Sequence, residues 1–160
     1  MLAVVETSSA TPSGADLGKT EEYFKNLYGS PKIARKVTEF EFSFPGHIGS
    51  IRITRPFFVR EFESGKLKVK VLYTDPTQGA IWVKYILPDK WTHEQLTAAL
   101  QAYDSDWKGA NESPTAYRSS SGRLADNVLL ELTIYAPQLS TDLRAKIDEA
   151  DRQGKAVPKF

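Results

Sequence analysis

Between residues 37 and 87, apolar side chains recur at every second position in run after run. That period leaves little room for anything but a half-buried sheet, because successive side chains of a strand point to opposite faces. Phe40, Phe42 and Phe44 alternate with Glu39, Glu41 and Ser43, and after Pro45-Gly46, Ile51 and Ile53 alternate with Arg52 and Thr54. A third run, Phe57 to Phe62, ends at Ser64-Gly65, a hairpin-like turn. Leu67, Val69, Val71 and Tyr73 then point one way while Lys66, Lys68 and Lys70 point the other. Asp75-Pro-Thr-Gln-Gly79 turns the chain, and Ile81, Val83, Tyr85 and Leu87 resume the alternation until Pro88 stops it. Strands near 115–119 and 128–135 follow, separated by Ser121-Gly122 and Asp126-Asn127. Turns this short imply antiparallel neighbours, since a parallel crossover takes about a dozen residues or more.

Helical periods occur in three places. Thr20 is a candidate N-cap, Glu21 and Glu22 complement the helix dipole, and Tyr23, Phe24, Leu27 and Tyr28 recur at helical spacing before Gly29 and Pro31. Thr92-His-Glu-Gln95 has the spacing of a capping box, and Leu96, Ala99, Leu100 and Tyr103 line one face beyond it. Ser140 is a candidate cap for a last helix bearing Leu143, Ile147 and Ala150, with Gly154 at its end. The expectation is an α+β fold. It is a single domain, an antiparallel meander sheet of five to seven strands with helices packed on it. Residues 1–18, rich in Ser, Thr, Ala, Pro and Gly, read as a flexible tail; 19–153 as the domain; 154–160 as a frayed C-terminal tail.

The chemistry is largely one of exclusions. With no cysteine, the chain can build neither disulfides, thiolate metal sites nor a cysteine nucleophile. Its net charge of +1 supplies no global field toward nucleic acid or anionic lipid, so no nucleic-acid partner is expected. No apolar run approaches the roughly 20 residues of a transmembrane helix. His47 and His93 have no second ligand at metal spacing, so no metal or other cofactor is expected. Gly46 and Gly49 lack the third glycine of a dinucleotide fingerprint, and no Gly-x-Ser-x-Gly elbow is present. Asp104 and Asp106 form too short a ladder of oxygens for a calcium loop.

The segment Glu21-Glu-Tyr-Phe-Lys-Asn-Leu-Tyr-Gly-Ser-Pro31 is similar to the helix-then-Gly-x-Pro opening of small exported bacterial domains. Those domains are related to the outer-membrane assembly lipoprotein BamE, and the β-lactamase inhibitor protein shares their general architecture. Trp91-Thr-His-Glu-Gln-Leu and Trp107-Lys, followed by Tyr117-Arg-Ser-Ser-Ser-Gly122, also resemble a pattern of uncharacterised bacterial exported proteins. The chain has one helix before the sheet where the pattern has two, and it lacks the lipoprotein cysteine. The resemblance implies a location outside the cytoplasm and action through the sheet surface, with no catalytic residue to carry over. The small-residue stretch Glu6–Ala15, like the head of a mature exported protein, points the same way: periplasmic or secreted, its signal peptide removed, with the cytoplasm as the alternative.

One constellation stands out. By period, Lys66, Lys68 and Lys70 share a face, as do Trp82 and Lys84 on the next strand, and both sets fall on the same side of the sheet. An exposed indole among ammonium groups would suit an acidic protein surface, a glycan or an anionic ligand. The rival account is a solvated face whose lysines keep strand edges from aggregating, with Trp82 covered by a loop. Three functions follow: a non-enzymatic exported binding or assembly module using that face, a small-ligand binder with its pocket between the sheet and the 104–114 loop, or an enzyme without a recognisable motif. The oligomeric state is left open.

Overall fold

The computed structural model describes residues 16–156. Helix α1 (Glu21–Tyr28) precedes an up-and-down run of β1 (Ile33–Phe42), β2 (Ile51–Ser64), β3 (Leu67–Tyr73) and β4 (Trp82–Ile86). Helix α2 (His93–Gln101) then carries the chain to the opposite edge. There β5 (Lys108–Gly109), β6 (Ala116–Arg118), β7 (Leu124–Val128) and β8 (Glu131–Tyr135) run back inward, and helix α3 (Pro137–Ala156) follows. One sheet results, in the order β1-β2-β3-β4-β8-β7-β6-β5, with every neighbouring pair antiparallel. The α+β class and the antiparallel sheet are as the sequence implies. The strand count is eight rather than five to seven, and two meanders meet at β4 and β8 rather than forming one.

Each discrepancy has a local cause. The apolar run at 128–135 is not one strand: Val128 pairs with Glu131, and the chain reverses through Leu129, whose φ is 54°. Nothing in Val-Leu-Leu announces a turn, because such turns normally carry Asn or Gly. Asp126 and Asn127, read as the turn, are instead paired residues of β7. Conversely, the runs at 51–54 and 57–62 are one strand of 14 residues. Thr38 alone stands opposite Arg55 and Pro56, a bulge at which the missing proline N–H costs no ladder bond.

Both faces of the sheet are covered. On the first, Phe24 of α1 is fully buried against Phe62 and Tyr73, at ring separations of 5.7 and 6.2 Å. Ala99 and Leu100 of α2 join the same core, with Val69, Val71, Val83, Tyr85 and Ile134 from the strands. The expected capping box is formed, Thr92 accepting from the Gln95 amide and Gln95 from the Thr92 amide. On the second face, Leu139, Leu143 and Ile147 of α3 pack with Leu72, Trp82, Leu124 and Tyr135. Phe42, Phe44, Ile51 and Ile53, from the far half of the β1–β2 hairpin, complete this core. Helix α3 starts at Pro137, not after Ser140, since proline fits the first helical position. It runs through Gly154 past the expected boundary at 153, and Ala150 is exposed.

The tail boundary also moves. Asp16 is fully buried and Leu17 is 5% exposed. The Gly18 amide donates to the Ala80 carbonyl at 2.9 Å, and the Ala80 amide donates to Lys19 at 3.0 Å. Residues 16–18 therefore belong to the domain. The rest of the expected N-terminal tail, residues 1–15, and the C-terminal residues 157–160 lie outside the described residues.

Candidate functional site

On the second face, opposed residues form rows across the strands. The row Val59–Leu72–Trp82–Tyr135–Leu124 is apolar and buried beneath the β1–β2 hairpin and α3. The adjacent row, Glu61–Lys70–Lys84–Thr133–Asp126, is polar. From Lys70 to Asp126 it lines a cleft of about 320 Å³, walled by Phe40, Trp82 and Tyr135 and bordered by Glu131. The period-two reading thus assigned Lys70, Trp82 and Lys84 to one side correctly.

It did not foresee what covers them. Trp82 is 4% exposed, with Phe40 and Phe42 against it at ring separations of 5.5 and 6.4 Å. The aromatic that the binding-face reading left exposed is therefore a buried wall, as the rival account of a covered Trp82 had it, with the β1–β2 hairpin as the cover. The reason is the length and curl of the β1–β2 hairpin, which folds Phe40 and Phe42 over the indole. The Tyr135 hydroxyl donates to the Ser43 carbonyl at 2.7 Å and ties this roof to β8. Lys68 is exposed one step along the same face, bordering with Lys32 and Glu63 a small hollow that Lys70 and Glu61 also line. Lys66 is exposed in the turn before β3 and faces Leu87, Pro88 and Lys90. The five residues named from the sequence are thus divided: Lys70, Trp82 and Lys84 meet in the cleft, whereas Lys66 and Lys68 stay outside it.

The charges in the cleft are unevenly satisfied. Lys84 pairs with Glu131 at 3.0 Å and lies 5.3 Å from the centre of the Trp82 ring. Glu41, on the rim, pairs with Arg52 at 2.8 Å. Lys70 lies 5.4 Å from the centre of the Phe40 ring but forms no ion pair among the described residues. Burial, above all, holds its ammonium below the usual lysine range; Lys84 and Arg35 push the same way, while Glu61 and Glu131 oppose. Asp126 also lacks an ion-pair partner among the described residues. Its Oδ1 accepts from the Thr115 hydroxyl at 2.6 Å, and burial raises its carboxyl above the ordinary aspartate range. Asp126 and Thr133 were missed in the sequence because only the register of β7 and β8 against β4 brings them beside the lysines.

The other candidate groups lie elsewhere. The 104–114 loop does border a hollow of about 420 Å³, lined by Gly109–Glu112, Arg118 and Arg144. It lies against α3, and Glu112 already binds both Arg118 and Arg144. Asp104 and Asp106 accept hydrogen bonds from Ser121 and from the Ser120 amide, so they fasten the loop to the turn after β6. His47 and His93 join no group of residues able to hold a metal among those described. Asp16 is the one fully buried carboxylate among the described residues; it accepts from the hydroxyls of Tyr23, Tyr28 and Tyr85 at 3.0, 2.7 and 2.7 Å. It lines none of these hollows, so the cluster clasps the start of the domain to the first face.

No family model matches this chain, and neither a curated protein nor a solved structure matches it. No helix among the described residues is long and apolar enough to cross a membrane.

Proposed function

We propose that this protein is a non-enzymatic binding module that takes an anionic group into the cleft, with Lys70 as its anchor. The observation that carries the reading is the partly buried Lys70 ammonium, held against Phe40 in the cleft with Trp82 and in no ion pair among the described residues, although Glu61 stands opposite it on β2. An unneutralised charge withdrawn from water costs stability, and a concave, aromatic-walled site with few convergent polar groups is where small ligands bind. The enclosure favours a small anionic ligand over an acidic protein surface, and an indole 4% exposed offers a glycan no stacking platform. The resemblance of Glu21–Pro31 to exported domains supports a periplasmic or secreted setting for this binding. Cell fractionation of the native gene product tests that setting.

The binding test is isothermal titration with hexanoate and its neutral amide. Hexanoate should bind, the amide at least about tenfold more weakly, and Lys70→Met should remove the difference, as expected for a charge-assisted contact. Equal affinity for the two probes would refute the anchor.

A further inference from the structure

We infer that the ligand is a zwitterion whose positive end sits on Asp126 and whose negative end sits on Lys70, an inference that rests on the reading of the cleft above. The two residues lie in one row, on β7 and β3, separated by Lys84 and Thr133. Three strand spacings put their backbones roughly 14 Å apart. Opposite charges in one cleft would ordinarily neutralise each other. Here Lys84 stands between them and is itself satisfied by Glu131 at 3.0 Å. The result is a separated pair of ends, an ammonium at one and a carboxylate at the other, neither in an ion pair among the described residues.

The Asp126 carboxylate accepts a single hydrogen bond among the described residues, from the Thr115 hydroxyl to Oδ1, which leaves Oδ2 as an acceptor. A ligand with only an anionic group would satisfy Lys70 and leave Asp126 desolvated and unpaired, and a simple amine would do the reverse. Either omission carries the penalty of a partly buried charge without a partner. A molecule with an amine and an acid at opposite ends of a chain satisfies both. The Thr133 hydroxyl and the Trp82 and Phe40 rings line the stretch between. Glycine, with both charges on one carbon, is too short for ends carried on strands three spacings apart.

The test is isothermal titration of the wild-type chain with 6-aminohexanoate, hexanoate, hexylamine and glycine. The expectation is that 6-aminohexanoate binds at least about tenfold tighter than each of the others, the effect of one added charge-assisted contact. Asp126→Asn should erase its advantage over hexanoate, and circular dichroism checks that this variant folds. Hexanoate binding as tightly as 6-aminohexanoate would overturn the zwitterion and leave the anion seat standing. Glycine matching 6-aminohexanoate would overturn the separation of charges. Hexylamine binding tightest, or no probe binding to the folded wild type, would overturn both this inference and the anion reading.

Discussion

Leu129 sits at φ 54°, a backbone region in which a side chain with a Cβ is strained by about 1–2 kcal/mol. It is 70% exposed, so the side chain gains little from packing in return. Leu129→Asn should therefore raise stability by about 1 kcal/mol, because asparagine tolerates this region. A lower midpoint in urea would contradict it. Asp16 makes a prediction of the opposite kind to most carboxylates. Burial, its largest influence, raises its folded pKa although hydrogen bonds from Tyr85, Tyr28 and Tyr23 oppose the shift. Between the unfolded value of about 3.9 and the raised folded value, the native state binds more protons, so this group's contribution to stability falls as pH rises. The stability of wild type relative to Asp16→Asn should therefore increase as pH is lowered from 7 into that window. Urea unfolding of both proteins across the range measures the difference. A difference independent of pH would show that Asp16 keeps an ordinary pKa. Lys70 supplies the counterpart: its ammonium must be charged to hold an anion, so hexanoate affinity should decline as pH rises toward its depressed pKa. Titrations from about pH 7 to 10 follow it, and the decline should begin below the usual lysine value of about 10.4.

At the level of elements, the short segment 16–18 behaves as part of the sheet's first face. Leu17 is buried, Gly18 bonds to Ala80, and the Gly18 carbonyl lies so close to Gly79 that an added Cβ there would come within 2.5 Å of it. Removing residues 1–18 should lower the melting temperature by several degrees, since burying one leucine alone contributes about 1.5–3 kcal/mol. An unchanged melting temperature would mean that the Asp16 clasp adds nothing. The β1–β2 hairpin is the second decisive element. Its bulge at Arg55-Pro56 lies between the half that pairs regularly beside β3 and the half that carries Phe40 and Phe42 over Trp82. That fold-over changes an open basic strip into a cleft.

For the molecule as a whole, Trp82 joins stability to binding. Its ring belongs to the core shared by α3, the sheet and the hairpin, so Trp82→Ala should cost about 3–5 kcal/mol. Trp82→Phe keeps an aromatic wall and should cost less while still weakening hexanoate binding. Urea unfolding measures the stabilities and calorimetry the binding. A nearly neutral Trp82→Ala would place the indole in solvent and return the site to an exposed face. Much of this architecture was legible in the chain. Alternation in 37–87 dictated strands and their wet and dry sides, and Thr92 with Gln95 dictated a helix start, because side-chain direction and capping are local consequences of backbone geometry. That Lys70 and Lys84 lie on one side of the sheet followed from the same rule. What the sequence could not reveal was which residues come from afar. The insertion of β8 beside β4 brings Thr133 and Asp126 into the lysine row, and the folded hairpin buries Trp82. A period says which way a side chain points, but not what the rest of the chain lays on top of it; that is decided only when distant segments pack to bury their apolar faces.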